Sequence, residues 1–88
     1  MTDLAFHEQA WDDYEWWQGQ DRKTLRRINR LIRAALRNPR TGEGQPEALV
    51  GDMAGLWSRR IDERNRLVYQ IVEGGIVVTQ CRGHYDNH

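Results

Sequence analysis

The chain has 88 residues, of which 39% are hydrophobic, and this is enough for one globular domain with one core. The single cysteine, Cys81, excludes a disulfide framework and is typical of a reducing compartment. No stretch approaches the ~20 apolar residues of a membrane span, and the acidic start lacks the pattern of a signal peptide. We therefore expect one cytoplasmic domain over residues 1–88, with no membrane contact.

The formal net charge is zero, yet the charges are sorted along the chain. Residues 1–21 carry six acids and no Lys or Arg, whereas residues 22–40 carry eight bases and no acid. Twelve of the thirteen bases are arginine, which binds phosphate and carboxylate oxygens in a forked geometry. This distribution indicates either a basic face for an anionic partner or internal pairing of the two segments, and composition alone leaves both open.

The first half of the chain predicts a short strand at 4–7 and a helix at Glu8–Gln18. Asp21 is the expected N-cap of a second helix, Arg22–Arg37, because aspartate accepts hydrogen bonds from the first free backbone N–H groups. Pro39 ends this helix, since the residue before a proline avoids helical geometry. The apolar stripe of the second helix consists of Leu25, Ile28, Leu31, Ile32, Ala35 and Leu36.

The second half predicts a loop at 38–55, with a short strand at 48–50, and then three strands. The predicted fold class is therefore α+β: two helices packed on one face of a twisted, mainly antiparallel sheet of four to five strands. The three strands are Leu56–Ile61, Arg66–Glu73 and Ile76–His84, with turns at Asp62–Asn65 and Gly74–Gly75.

Side chains alternate between the two faces of a strand, so residue numbers sort them. The odd face is expected to pack on the helices, and it carries Trp57, Ile61, Leu67, Tyr69, Ile71, Val77, Thr79 and Cys81. The even face is expected to be open and basic at one end, and it carries Ser58, Arg60, Arg66, Gln70, Gln80, Arg82 and His84, with Val68, Val72, Ile76 and Val78 nearer the last turn.

This grouping places a condition on the two hairpins. Arg60, Arg66 and His84 share a face only if each hairpin loop leaves out an odd number of residues, three or five. A two-residue turn at Gly74–Gly75 would put Arg66 and His84 on opposite faces.

The predicted even face groups Arg60, Arg66, Arg82 and His84, and Glu47 lies in the preceding loop. Metal-free RNA cleavage needs this inventory: a general base, a general acid, and fixed positive charge on the phosphate. The sequence has no zinc-ligand spacing, no Ser-His-Asp signature and no phosphate-binding glycine loop, so no metal or cofactor is expected. Arginines at strand ends are usually solvated surface or form ion pairs with a partner, and a late histidine is usually just exposed, so the pattern alone is weak evidence for catalysis.

Five segments carry a specific resemblance to a known family. They are AWDDYEWWQ, INRLI, GEGQPEAL, GLWSRRIDERNRLVY and CRGHY. The chain resembles the Txe/YoeB toxins of the RelE superfamily, almost without gaps from about residue 6 to residue 85. The resemblance implies a RelE-like fold and a toxin that cuts messenger RNA in the ribosomal A site, leaving a 2′,3′-cyclic phosphate and a 5′-hydroxyl.

The same resemblance implies a role for each residue of the candidate site. Glu47 would be the general base, and His84 the general acid. Arg60 and Arg66 would grip and stabilise the scissile phosphate, while Tyr85 would help to position the substrate. Arg82, from the even-face grouping, is a further candidate contact for RNA.

The expected partners are a YefM-like antitoxin, the ribosome with its mRNA, and operator DNA only through the antitoxin; a homodimer is a further option. Three departures from the family pattern bear on activity: Val50, Gly83, and the tail 86–88. They leave two alternatives open, an antitoxin-binding co-repressor without activity and a plain RNA-binding module. Trp16 and Trp17 are adjacent on one helix, so one of them should be exposed.

Overall fold

The computed structural model describes residues 2–84, and both helices have the bounds that the sequence predicts: α1 (Glu8–Gln18) and α2 (Arg22–Arg37). Asp21 caps α2, because its carboxylate accepts hydrogen bonds from the backbone N–H groups of Lys23 (3.0 Å) and Thr24 (3.3 Å). The Thr24 hydroxyl also donates to this carboxylate, and these hydrogen bonds lower the pKa of Asp21.

Within residues 2–84 the strands form one five-stranded sheet, which confirms the predicted α+β architecture. The strands are β1 (Asp3–Phe6), β2 (Glu47–Ala48), β3 (Leu56–Arg60), β4 (Arg66–Val72) and β5 (Gly75–Gln80), with a 3-10 turn at Gly51–Met53. Their order is β1-β5-β4-β3-β2. β1 runs parallel to β5, and the other pairs are antiparallel.

The core lies between the two helices and one face of this sheet. Four residues of the apolar stripe of α2 are buried, and Leu25 and Leu36 at its ends are partly buried. Trp17 of α1 is buried, while Trp16 remains 37% exposed. The buried apolar cluster consists of Ala10, Trp17, Ile28, Leu31, Ile32, Ala35, Ile61, Leu67, Tyr69, Ile76, Val78 and Cys81. Neither helix in the described part of the chain has the length and apolarity needed to traverse a bilayer.

The β3–β4 hairpin has the register that the sequence requires. Arg60 pairs directly with Arg66, and the five residues between them form the loop. An odd number of loop residues keeps both arginines on one face of the sheet. This part of the prediction is confirmed.

The β4–β5 hairpin differs from the prediction. Val72 pairs with Gly75, so the turn has only two residues, and the second of them, Gly74, has a φ of +84° that favours glycine. An even loop reverses the faces of β5 near the turn. Ile76 and Val78 therefore belong to the core, and the odd-face positions predicted for Val77 and Thr79 are wrong.

A β-bulge further along β5 reverses the faces a second time. Tyr69 pairs with Val78, and Val68 pairs with Gln80. Thr79 therefore has no directly paired residue on β4 and is the extra residue of the bulge. Gln80 returns to the even face, and Cys81 is fully buried in the core as predicted. The two-residue turn and the bulge each reverse the faces of β5 once, so Gln80 and Cys81 lie on the faces that the sequence predicts.

Candidate active site

The sheet register brings Glu47 onto the same face as the two paired arginines. A row of directly paired residues crosses the sheet: Glu47, Ser58, Val68 and Gln80. Arg60 and Arg66 lie two residues further along β3 and β4, and residues two apart on a strand share a face. This face points away from α1 and α2, and we call it the open face.

Arg66 lies on the open face but is largely buried, with 9% of its surface exposed. Its Nη1 donates hydrogen bonds to the backbone carbonyls of Asp62 and Asn65, the latter at 3.1 Å. The loop between β3 and β4 therefore holds the guanidinium in one orientation. A fixed guanidinium is suited to binding an anion without first losing side-chain freedom.

Arg60 is exposed beside Arg66, and its backbone is anchored on both sides. Its N–H donates to the carbonyl of Gly44 at 2.7 Å, and its carbonyl accepts from Nη2 of Arg27 at 2.8 Å. Arg27 also bonds Glu43, which forms a second ion pair with Arg30 at 2.8 Å. The side chain of Arg60 thus projects from a well-fixed strand end into solvent.

His84 is exposed. It follows Gly83, whose backbone is hydrogen-bonded to the first residue of β4. The carbonyl of Gly83 accepts a hydrogen bond from the backbone N–H of Arg66 at 3.0 Å. The backbone before His84 therefore continues alongside the start of β4. Tyr85 and the tail 86–88 lie outside the described residues.

Glu47 is exposed on β2, at the edge of the sheet. Two strand spacings separate β2 from β4, so the backbones of Glu47 and Arg66 are on the order of 10 Å apart across the sheet. Within residues 2–84, no three His, Cys, Asp or Glu side chains gather as a set that could hold a metal ion.

Arg82 does not join the other two arginines. Its guanidinium lies over the Trp16 ring, 3.7 Å from the ring centroid, so it is stacked on α1. The predicted grouping of Arg82 with Arg60 and Arg66 is therefore wrong. A contact of Arg82 with RNA stays a prediction, because stacking on a ring leaves the edge of the guanidinium able to donate.

The loop between β3 and β4 contributes two polar residues that the sequence analysis treated only as a turn. Oδ1 of Asp62 accepts from the backbone N–H groups of Arg64 (2.8 Å) and Asn65 (2.7 Å). Burial raises the pKa of Asp62, but hydrogen bonds from Asn65 and Arg64 and the charge of Arg66 together lower it. The Asp-x-x-Asn spacing is a signal for such a turn, because both side chains readily bond nearby backbone.

Arg59 is a third residue that the sequence analysis missed. It is fully buried, and its guanidinium donates to the Tyr69 hydroxyl at 3.0 Å and to the carbonyl of Glu43 at 2.8 Å. Nη2 donates to the carbonyls of Asn38 (2.6 Å) and Thr41 (2.9 Å). Arg59 thereby fixes the loop that leads to Glu47. The burial of Arg59 could have been predicted from the alternation of strand side chains, because the odd-numbered residues of β3 face the helices.

Comparison with known proteins identifies the family of this chain. The family described as "YoeB-like toxin of bacterial type II toxin-antitoxin system" matches residues 6–85. The chain belongs to this family. A relative named Toxin YoeB from Synechocystis sp. is 48% identical over 82 residues, which are 93% of this chain and 95% of the relative.

Solved structures extend the likeness of this YoeB-like toxin to its whole fold. The YoeB/ParE toxin from Agrobacterium tumefaciens is 48% identical with a TM-score of 0.89, over 97% of this chain and 100% of that one. YoeB from Staphylococcus aureus was solved in a heterotetrameric YoeB–YefM complex, at a TM-score of 0.87 and 36% identity over 97% and 99% of the two chains. A YoeB dimer from the same organism has the same score and identity, over 96% and 98%.

Proposed function

We propose that this YoeB-like toxin is a metal-independent endoribonuclease that cuts messenger RNA on the ribosome. The observation that carries the proposal is the sheet register. It groups Glu47 with Arg60 and Arg66 on the open face, and the Gly83 backbone that precedes His84 is bonded to the same strand as Arg66. Acid, base and fixed positive charge are the components that phosphodiester transfer requires.

Glu47 is the general base in this proposal. Its carboxylate accepts the proton of a ribose 2′-hydroxyl, and the resulting oxygen attacks the adjacent phosphorus. Exposure of Glu47 at the sheet edge leaves it accessible to an extended RNA strand. Attack by the neighbouring oxygen is favoured, because both reacting groups belong to one nucleotide.

Arg66 and Arg60 stabilise the negative charge that builds on the two non-bridging phosphate oxygens. Arg66 is already held by the carbonyls of the β3–β4 loop, so it loses little freedom when the phosphate binds. Arg60 is solvent-exposed and adds a second positive charge on the same face.

His84 completes the reaction as the general acid. The bond from phosphorus to the 5′-oxygen breaks, and that oxygen takes the proton of the imidazolium. The products are a 2′,3′-cyclic phosphate and a 5′-hydroxyl, and the proton lost by the 2′-hydroxyl remains on Glu47 until it exchanges with water. Both proton transfers are assigned to side chains, so the proposal requires no metal.

Cleavage of a defined mRNA on programmed ribosomes in EDTA tests the proposal. Wild type should cut in the A site and leave a 5′-hydroxyl, whereas His84→Ala and Glu47→Ala should each lose about 100-fold or more in rate. His7→Ala is the matched control for the histidine, because His7 is exposed at the start of α1, and it should cut like wild type.

Three other outcomes would each overturn the proposal in a recognisable way. Binding of an antitoxin without RNA cleavage would favour a co-repressor. Salt-sensitive RNA affinity without cleavage would favour an RNA-binding module, since phosphate contacts weaken steeply with salt. Loss of cutting in EDTA that Mg²⁺ restores would exclude the metal-independent mechanism.

The proposed regulator is a YefM-like antitoxin, as in the solved complexes of the Staphylococcus aureus relative. Operator DNA is reached only through this antitoxin.

An apolar groove of about 510 Å³ lies beside β1, and the basic residue Arg33 is part of its lining. This groove suits an apolar segment flanked by acidic residues. Trp11 in this groove is 45% exposed, so Trp11→Ala should weaken antitoxin binding by about tenfold or more and leave cleavage intact. The same exposed surface is available for a homodimer. The groove is lined by Leu4, Phe6, Trp11, Tyr14, Asn29, Ile32, Arg33 and Leu36.

A further inference from the structure

Gly83 is held on both sides by two consecutive residues, Asn65 at the end of the β3–β4 loop and Arg66 at the start of β4. Its N–H donates to Oδ1 of Asn65 at 2.7 Å, and its carbonyl accepts from the backbone N–H of Arg66 at 3.0 Å. Its φ of +83° is a conformation that favours glycine, and a side chain there would meet no neighbour within 4 Å. The backbone immediately before His84 is therefore held by two hydrogen bonds, in a conformation that glycine adopts without strain.

The Asn65 side chain is itself fixed in the orientation that this contact needs. Its Nδ2 donates to both carboxylate oxygens of Asp62, each at 3.1 Å. A carboxylate only accepts and a backbone N–H only donates, so one orientation of the amide satisfies both partners. The chain of contacts from Asp62 through Asn65 to Gly83 needs a donor and an acceptor on one side chain, which aspartate and alanine lack.

The same loop also orients the guanidinium of Arg66, through the backbone carbonyls of Asp62 and Asn65. The five-residue loop thus makes two sets of contacts: one orients the Arg66 side chain, and the other holds the backbone that leads to His84. The relative position of these two groups is set by the loop together with the hydrogen bond from the Arg66 backbone N–H to the Gly83 carbonyl.

We propose that Asn65 is a positioning residue that sets His84 relative to Arg66 during cleavage. This inference rests on the proposed function, in which His84 is the acid and Arg66 binds the phosphate. Asn65 itself does not touch the reacting atoms. Its side chain acts through Gly83, because loss of the hydrogen bond releases one of the two backbone contacts that hold this glycine.

Single-turnover cleavage on programmed ribosomes tests the inference, with the toxin varied to saturation. Asn65→Ala should lower the saturated rate by about 10- to 100-fold, because small displacements of a reacting group have effects of this size. The toxin concentration at half-saturation should stay within about twofold, since substrate contacts are unchanged. Asn65→Asp retains the acceptor for Gly83 but loses the donor to Asp62, and its rate should fall between those of wild type and Asn65→Ala.

A double-mutant cycle separates positioning from a general effect on the fold. In a His84→Ala background, Asn65→Ala should change the remaining rate by no more than about twofold, because the group that it positions is gone. Glu63→Gln, in the same loop and exposed, is the matched control and should cut like wild type. Circular dichroism and a melting curve verify that each variant is folded.

Several results would overturn the inference. Wild-type rates for Asn65→Ala would do so, as would an equal loss in the His84→Ala background, which would point to Arg66 or to the fold. If Asn65→Ala does not fold, a wild-type rate for folded Asn65→Leu, which is similar in size and lacks both the donor and the acceptor, would overturn the inference equally. These results leave the proposed function intact, whereas a wild-type rate for His84→Ala would remove the acid and the role of Asn65 with it.

Discussion

The two faces of the sheet place neighbouring arginines in opposite environments. On the helix-covered face, Arg59 is fully buried and its guanidinium is surrounded by backbone carbonyls and the Tyr69 hydroxyl. On the open face the next residue, Arg60, is exposed. A single step along β3 separates a residue that fixes a loop from one that is available to a ligand, because strand side chains alternate.

The comparison shows that the arginines on the two faces of the sheet have different roles. The helix-covered face uses Arg59 to fix the loop before Glu47, and the open face presents Arg60 and Arg66 beside that loop. Substitutions on the first face should act on stability, and substitutions on the second should act on RNA cleavage. Four predictions test this division.

The largest expected effect is that of Arg59→Ala. It leaves three carbonyls and one hydroxyl without their donor and opens a cavity in the core, so the free energy of unfolding should fall on the order of 3–5 kcal/mol. Urea denaturation measures the change. The matched variant is Arg60→Ala, which should stay within about 0.5 kcal/mol of wild type and instead lose about tenfold or more in cleavage rate. Equal destabilisation by the two variants would break the comparison.

A smaller effect is expected for Tyr69→Phe. The Tyr69 hydroxyl accepts from Arg59 and donates to the carbonyl of Pro39 at 2.7 Å, so its loss should cost about 1–2 kcal/mol of unfolding free energy. Tyr14→Phe removes one hydroxyl contact, to Asn29 at 2.6 Å near the surface, and should cost less. If urea unfolding ranks the two variants the other way, the buried arginine is not the main support of the loop.

Cys81 predicts a loss of stability at high pH. Burial, and then the charge of Asp13, raises the pKa of this thiol from 9.0 to about 12. The unfolded chain loses the proton first, so stability is complete below pH 9.0 and falls as the pH rises towards about 12. The slope is at most about 1.4 kcal/mol per pH unit. Urea midpoints at pH 8 and pH 10, compared with the same pair for Cys81→Ala, measure it; parallel shifts in both proteins would contradict the prediction.

Asp62, in the loop between β3 and β4, predicts a smaller loss of stability, which occurs at low pH and not at high pH. Its pKa is lowered from 3.8 by the hydrogen bonds and the charge described above. Its contribution to stability is therefore present above pH 3.8 and is lost as the pH falls through the lowered value. Solvent screening keeps it small, because the group is mostly exposed. Acid unfolding of Asp62→Asn should show a shallower dependence below pH 4 than wild type.

Much of this fold could be predicted from local signals. Glu8–Gln18 and Arg22–Arg37 have helical spacing, and Asp21 supplies a capping side chain whose contacts lie within three residues. For the β3–β4 hairpin the sequence supplied only the condition that the loop between Arg60 and Arg66 has an odd number of residues, and the structure meets it with five. Signals of this kind depend on neighbours along the chain.

The end of β5 was not predictable in the same way. A two-residue turn and the bulge at Thr79 each reverse the faces, and the choice between Ile76 or Val77 for the core depends on packing against α1 and α2. Both residues are apolar, so hydrophobicity alone does not separate them. Arg82 was misplaced for the same reason: its position is set by the ring of Trp16, which is distant along the chain.

The sequence by itself determined the helices, the approximate strand segments, the family and the residue types of the candidate site, although the last strand ends at Gln80 and not at the predicted His84. Only the tertiary structure decided which of these residues meet. It paired Glu47 with the arginine face through β2, moved Arg82 onto α1, and placed Asn65 against Gly83. The physical reason is that periodicity fixes each element separately, whereas register, bulges and long-range hydrogen bonds are settled when the elements pack together.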